Sequence, residues 1–348
     1  MRRRIDPSAG LGGGNRMARL AGMERLIGTM ILLTGATGCV GRYLLEALLN
    51  ETDEPLLLLL RNPDALPQAL RTHPRVQIRK HDLAQGAAPL ADLPPIRAAL
   101  LVATAWGGPQ TRQVIRDANL ALAERLIDQG CLRVLYFSTA SVLDRKGALL
   151  DAARDHGTDY IQGKHALTVA MEGCADRAEI IGLFPTLVIG GDPQGTFPMS
   201  HFARLLHQLR RWAWIIRFLD AEARLHVIHA ADIASVCVAL VQAPPAPAGG
   251  RQGARRLVLG NPASSVDMLV GAYARHRGLG RWRLIRLRPR LAEVLIRLFR
   301  IQLSAWDRHC MQHPDQTYDQ PVNPGNFNRP LHMPEFATGL TRIGLPRR

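Results

Sequence analysis

The sequence predicts an α/β fold: a doubly wound parallel sheet followed by a small, looser C-terminal lobe. Three observations lead there. Short apolar runs alternate with segments of helical period for about six units, the pattern of a parallel sheet covered on both faces. The first run passes into a glycine-rich turn, Thr34-Gly35-Ala36-Thr37-Gly38-Cys39-Val40-Gly41, which opens a helical segment. After Pro185 the alternation breaks into the loop Gly190-Gly191-Asp192-Pro193-Gln194-Gly195.

Met30 to Leu33 reads as the first buried strand, and Gly41 to Asn50 as a helix with Leu44, Leu45, Leu48 and Leu49 on one side. Leu56 to Leu60 is the second strand, Val76 and Ile78 mark a weaker third, and Ala99 to Ala103 is the fourth. Residues 111–129 carry Val114, Ile115, Leu122 and Leu126 at helical spacing, and Leu132 to Phe137 is the fifth strand. A helix through Tyr160 and Lys164 runs to about Cys174, and Glu179 to Leu183 is the sixth strand. Phe202, Leu205, Leu206 and Leu209 mark a further helix. Asp232 is placed to cap another, with Ile233, Val236 and Leu240 inward, ending at Pro244-Pro245-Ala246-Pro247. The expected organisation is a flexible extension over 1–29, a dinucleotide-binding domain over 30–184 and a substrate lobe over 185–348, of which about 226–242 returns to the first domain.

The chain has 348 residues, 47% hydrophobic, enough for one large core or two lobes. Its net charge of +15 raises nucleic-acid or anionic-membrane binding. Of 44 basic residues only Lys80, Lys146 and Lys164 are lysine, the Arg are spread along the chain, and aromatics are 5%, so no stacking platform for nucleic acid is evident. Cys39, Cys131, Cys174, Cys237 and Cys310 form no C-x-x-C pair and read as thiols of a reducing cytoplasm rather than disulfides or metal ligands. The longest apolar run, Ala98 to Trp106, is too short to span a bilayer. The basic start Met1-Arg2-Arg3-Arg4 leads into Leu11-Gly12-Gly13-Gly14-Asn15, not the apolar core of a signal peptide. His201/His207 and His309/His313 do not have a metal site's spacing context.

Gly35-x-x-Gly38-x-x-Gly41, between a strand and a helix, suits a pyrophosphate: glycine admits close approach, and the helix N-terminus presents free N–H groups. This makes the predicted sheet Rossmann-type. At the end of the second strand Leu60-Arg61-Asn62 stands where an NAD site often has an acid. Arg61 there suits a 2′-phosphate, favouring NADP over NAD. Tyr160 and Lys164 form Tyr-x-x-x-Lys, a spacing expected by chance about 0.04 times given this many Tyr and Lys. They lie one helical turn apart, where an ammonium lowers the phenol from its free pKa near ~10 and fits it for proton transfer. Ser138-Thr139-Ala140-Ser141 follows the fifth strand, placing hydroxyls at the carboxyl edge of the sheet.

Over roughly residues 30–240 the chain resembles the extended branch of the short-chain dehydrogenase/reductase superfamily, the NAD-dependent epimerase/dehydratase group. The turn has that branch's T-G-x-x-G-x-x-G form. His81-Asp82-Leu83 resembles its adenine-contacting Asp-Leu, and Ala103-Thr104-Ala105 its cofactor-lining segment. Asn119 is similar to a helix Asn that supports the active site. Phe137 to Val142 resembles F-S-S-x-x-V, with Thr139 at the catalytic Ser/Thr, and His229-Ala230-Ala231-Asp232-Ile233-Ala234 resembles H-V-x-D-x-A. The resemblance implies catalysis by Thr139, Tyr160, Lys164 and Asn119, with Lys164 also on the nicotinamide ribose. Cofactor contacts are expected at Gly35, Thr37, Gly38, Cys39, Val40, Gly41, Arg61, Asp82, Leu83, Ala103, Thr104, Ala105, Tyr160, Lys164 and Pro185, and no metal is expected.

The departures shape the functional expectation. Ala140-Ser141 replaces the dehydratases' Asp-Glu, Leu187 the epimerases' Asn, Phe184 the Arg common before Pro185, and Leu143-Asp144 the usual Tyr-Gly. The expected protein is a cytoplasmic NAD(P)-dependent oxidoreductase acting on a ketone/alcohol of a partly apolar small molecule. Two alternatives stay open: a nucleotide-sugar epimerase, and a non-catalytic NADP-binding regulator or assembly factor, against which the complete Thr139/Tyr160/Lys164 set argues. Nucleic acid is not an expected partner, and a homodimer is open. Arg204, Arg210, Arg211, Trp212, Trp214 and Arg217, and the stripe Arg288 to Arg300, would suit an anionic membrane, but read first as core-facing helices with solvated Arg.

Overall fold

The computed structural model describes residues 29–86, 90, 92–105, 111, 113–220, 222–246, 254–282, 285–286, 304–313 and 315–347. The extension over 1–28 and the stripe Arg288 to Arg300 lie outside the described residues. In chain order the elements that build the site are β1 (Met30–Thr34), α1 (Cys39–Glu51), β2 (Leu56–Leu60), β3 (Val76–Lys80) and β4 (Ile96–Leu101). A π-helical turn (Gln113–Ala118) then leads directly into α2 (Asn119–Asp128), followed by β5 (Arg133–Phe137), α3 (Asp159–Glu172), β6 (Glu179–Pro185) and β7 (Leu187–Ile189). The chain continues through α4 (His201–Leu209), β8 (Val227–His229), α5 (Ala230–Gln242), β9 (Ala254–Leu259), α6 (Val266–His276), α7 (Ala305–Gln312) and α8 (Phe336–Arg342).

Seven strands form one sheet in the order β9-β6-β5-β4-β1-β2-β3, every pair parallel. The chain reverses its winding between β1 and β4, so the crevice at the carboxyl ends of these strands is the topological switch point, where open α/β sheets bind ligands. β2 is five leucines, all buried: a strand covered on both faces has no polar side to alternate with. On one face α1 packs against α5, with Leu44, Leu45 and Leu48 in the same cluster as Ile233, Val236 and Cys237. On the other, α2 and α3 contribute Leu122, Leu126, Leu167 and Met171 to a second cluster. Each such side chain contributes about 1.5–3 kcal/mol by leaving water. A third cluster gathers Ile189, Leu206, Tyr273, Met333 and Leu340, all from residues after β6.

α5 packs on α1 beside the seven-stranded sheet, β8 pairs with β7 in a separate two-stranded sheet, and the large sheet takes its seventh strand, β9, from residues the sequence reading placed in the lobe. Asp232 is not a helix cap. α5 starts earlier, at Ala230, and its cap is His229, whose Nδ1 accepts from the Ala231 N–H. The Asp232 carboxylate instead accepts the backbone N–H groups of His332 (2.6 Å) and Met333 (3.2 Å), tying the C-terminal segment to the core. All five cysteines are free. No described helix is long and apolar enough to cross a membrane.

Candidate functional site

The crevice is set by Thr34, the last residue of β1. Its Oγ1 accepts the N–H groups of Val102 and Ala103, both at 3.0 Å, and holds the exit of β4 beside the glycine turn. Two of the three glycines answer to packing. Gly35 has φ +71°, and a Cβ there would meet Ala103 N at 2.9 Å; a Cβ at Gly41 would lie 2.1 Å from the Gly35 carbonyl oxygen. Gly38 differs: it is exposed, and a Cβ there would meet nothing nearer than Gly35 O at 3.4 Å. Its bare backbone leaves the approach to α1 open from outside. α1 starts at Cys39 with no side-chain cap and no acid in its first turn, so its N–H groups and dipole face that opening uncompensated. Thr37, Cys39 and Val40 are half-buried around it. Burial pushes the Cys39 thiol up to about 12, which leaves it protonated and unreactive. These features fit the pyrophosphate of a dinucleotide.

Along the same edge Arg61 is exposed at the end of β2. Asp82 accepts from the Ala84 N–H at 3.0 Å, which turns the chain and buries Leu83. Ala103, Thr104 and Ala105 are half-buried after β4, and the buried Thr104 hydroxyl has no hydrogen-bond partner among the described residues. An unpartnered buried hydroxyl in this segment is a further point where the chain fits a polar ligand.

The catalytic candidates meet beside this cradle. Ser138 and Thr139 follow β5, and Thr139 Oγ1 lies 3.4 Å from both the backbone N and the Oγ of Ser141, starting a short 3₁₀ turn. α3 is capped by Thr158 with Asp159 in its first turn, so Tyr160 sits at the helix start and Lys164 one turn later on the same face. Lys164 is buried; its Nζ donates to the Phe137 carbonyl at 2.7 Å and lies 5.7 Å from the centre of the Tyr160 ring. No ion pair reaches this ammonium among the described residues. Desolvation lowers Lys164 to about 7 and raises the Tyr160 phenol above its ordinary value. Burial rather than mutual attraction thus dominates both groups.

Asn119 stands at the junction of the π turn and α2. Its Nδ2 donates to Val114 O (2.8 Å), Ile115 O (3.2 Å) and Ala103 O (3.4 Å), while its buried Oδ1 has no described partner. A π turn disturbs the regular carbonyl ladder, and this amide reoccupies those carbonyls while tethering the segment after β4 at Ala103. Pro185 ends β6 on the same edge.

The residues that set the family-like site apart turn out to be packing residues. Phe184 is fully buried and edge-on to Tyr136 at 6.3 Å, and Leu143 is buried. Asp144 accepts from Lys146 N (2.9 Å) and Ala148 N (2.8 Å), building a turn. Leu187 is half-buried in β7.

A clasp over the catalytic segment has no counterpart in the sequence reading. The Tyr318 hydroxyl donates to the carbonyl of Ala140, next to Thr139, at 2.7 Å. The Tyr318 N–H donates to His226 Nε2 at 3.0 Å, and His226 Nδ1 pairs with the Asn261 carbonyl at 2.7 Å. These bonds fix the neutral, Nδ1-protonated imidazole. Asp319 pairs with Arg145 at 2.6 Å, and Trp306 and Tyr318 share the apolar cluster against which Tyr160 packs. No spacing or motif marks these residues.

Known proteins match at two levels. Among curated proteins none matches the sequence. Among solved structures, Bordetella bronchiseptica WbmG in complex with NAD is 14% identical, with TM-score 0.63 over 90% of this chain and 92% of that one. MoeE5 in complex with UDP-glucuronic acid and NAD is 18% identical, with TM-score 0.62 over 90% and 97%. UDP-glucose 4-epimerase from Thermotoga maritima with UDP-glucose is 10% identical, with TM-score 0.61 over 90% and 97%. At such identities the likeness establishes the fold. The sequence model of the NAD dependent epimerase/dehydratase family matches residues 31–252, a span that contains the glycine turn, the Tyr160/Lys164 pair and α5. With that match over most of the chain, and a parallel sheet that carries the cradle at its switch point, the chain belongs to the NAD dependent epimerase/dehydratase family of the short-chain dehydrogenase/reductase superfamily, a group of NAD(P)-binding enzymes.

Proposed function

We propose that the protein is a cytoplasmic NAD(P)-dependent oxidoreductase that interconverts a ketone and an alcohol on a partly apolar small molecule, with NADP favoured. The observation that carries the reading is Lys164: buried, bound to Phe137 O, one turn from Tyr160, and drawn down to about 7. A surface Tyr and a solvated Lys would have none of these properties. The bound nicotinamide supplies or takes up the hydride. In the reducing direction Tyr160 Oη donates its proton to the substrate oxygen as that oxygen gains charge, and the Thr139 hydroxyl holds the same oxygen. Lys164 Nζ, exchanging its proton near neutral pH, stabilises the phenolate left behind and lets it be reprotonated. Asn119 holds the segment after β4 in place. Leu187, half-buried in β7 where the epimerases carry an Asn, supports a partly apolar substrate.

The test is purification of the full chain, mass spectrometry of any bound nucleotide, and an assay of nicotinamide oxidation against a panel of ketones. The expected result is bound NADP(H) and oxidation matched one-to-one with ketone reduced. The runner-up is a nucleotide-sugar epimerase, favoured by the likeness to the Thermotoga maritima UDP-glucose 4-epimerase. Interconversion of UDP-sugars with no net change of the nicotinamide, and no ketone turned over, would decide for it.

A further inference from the structure

Three of the four tryptophans among the described residues point into solvent at one place. Trp212 and Trp214 are each 58% exposed and Trp282 is 57% exposed, against a buried Trp306. Their backbones lie at one corner of the molecule. Trp212 and Trp214 flank the buried Ala213 of a one-turn helix, Ala213–Ile216. The Trp282 N–H donates to the carbonyl of Arg217, just past the end of that helix, at 3.2 Å. The neighbouring Arg281 reaches Leu219 O at 2.5 Å and Asp267 at 2.6 Å, which brings Met268, 64% exposed, to the same corner. Leu205 is exposed on α4, seven residues before Trp212. The reading of these residues as core-facing holds only for Ala203, Leu206 and Ala213, which are buried.

Arg dominates the charge at this corner. Residues 200–218 contain Arg204, Arg210, Arg211 and Arg217 and no Asp or Glu, and the acids Asp220 and Glu222 follow. Arg204, Arg210 and Arg211 are exposed, and the nearby Asp267 is already paired with Arg281. Soluble monomers seldom show clustered large apolar side chains without a partner. A two-fold contact with a second copy would bring two such Arg clusters into one interface, which their like charge opposes. A bilayer with anionic lipids meets both halves of the pattern: indoles prefer the headgroup level, and Arg pairs with phosphate. From this charge and aromatic arrangement we infer that the corner formed by Trp212, Trp214, Trp282 and Arg204, Arg210 and Arg211 docks the protein reversibly on an anionic phospholipid surface. The inference does not depend on the reaction proposed above.

The test is co-sedimentation of the full chain with phosphatidylcholine vesicles, with and without phosphatidylserine, at low and high salt. The wild type is expected to bind the phosphatidylserine vesicles and to be released by salt. Each cation removed should weaken binding about fivefold, so Arg204→Gln/Arg210→Gln/Arg211→Gln should lose about a hundredfold. Trp212→Ser/Trp214→Ser/Trp282→Ser should lose binding at low salt. Unchanged nucleotide affinity in both variants shows that they are folded. Binding to neither vesicle, equal binding to both, or binding indifferent to the Trp variant overturns the inference. So does a wild type that runs as an oligomer and a Trp variant that runs as a monomer, which would make the corner a protein interface.

Discussion

At the amino edge of the sheet, Arg133 at the start of β5 and Glu179 at the start of β6 are both buried and pair at 2.5 Å. Around them every charge has work within the fold. Arg133 donates to the carbonyls of Leu240, Ala243 and Pro244 at the end of α5, Arg97 donates to Val241, and Arg255 adds a second cation to Glu179. At the carboxyl edge the opposite holds. Lys164 is buried and donates to the Phe137 carbonyl, Asn119 Oδ1 and the Thr104 hydroxyl have no described partner, and the N-terminus of α1 is uncapped. Satisfied polar groups rigidify, and unsatisfied ones cost stability unless something else meets them. One edge is finished by the chain itself; the other is left for a ligand to finish.

The largest expected effect tests the carboxyl edge. Tyr160→Phe should lower turnover by ~10²–10⁴ with the melting temperature and nucleotide affinity nearly unchanged. Wild-type turnover in this variant would remove Tyr160 from the chemistry. The matching change at the amino edge is Arg133→Met, which leaves Glu179 buried with Arg255 as its one cation and the Ala246 N–H as a further donor. Urea unfolding should show a loss of ~3–5 kcal/mol, with turnover of the folded enzyme kept. If activity fell and stability did not, the two edges would not divide as described.

The pH dependence adds a third test. His229 is buried and held neutral, its pKa lowered to about 4 by desolvation, with Arg342 and His332 adding to the effect. The unfolded chain binds this proton near ~6.5, so the stability from keeping His229 neutral is fully present above that pH. As pH falls toward about 4, about 3 kcal/mol should be lost, and His229→Asn, which keeps an N-cap acceptor, should flatten the slope measured by urea unfolding. Unaltered pH dependence in that variant would point to other groups. Next in size, Arg61→Ala should weaken NADP(H) by ~1.5–3 kcal/mol and leave NAD(H) unchanged. Equal losses in a titration of both nucleotides would show that Arg61 does not read the phosphate. Smallest, Lys164→Met should raise stability at neutral pH by about 1 kcal/mol while reducing turnover, because it removes a buried cation kept for function. A destabilised variant would mean that the Phe137 contact outweighs the desolvation of Lys164.

The carboxyl edge was the more legible of the two in the sequence. A turn that must admit a phosphate demands glycines at fixed spacing, and a proton-transfer pair demands Tyr and Lys on one helix face, so both leave local patterns. β1, β2 and β5 showed as apolar runs because both their faces are covered. β9 did not, because Ala254–Leu259 carries Arg255 and Arg256. Their partners Glu179 and Glu172 lie far off in sequence, and at the sheet edge such charges are tolerated. The π turn before Asn119 was hidden inside a helical period. Asp232 reads as a cap by propensity, but its acceptors serve a backbone segment a hundred residues away. The Tyr318 clasp is a side-chain-to-backbone contact, and the backbone of Ala140 carries no signal of its own.

That clasp also sets a clock on biosynthesis. Tyr318 and Ala140 are 178 residues apart in the chain. At translation rates of about 5–20 residues per second, the ribosome adds Tyr318 about 10–35 s after Ala140. Through that interval the nascent chain lacks the hydroxyl that fastens the segment beside Thr139 in the finished fold, so this bond can form only well after the segment it holds has been made.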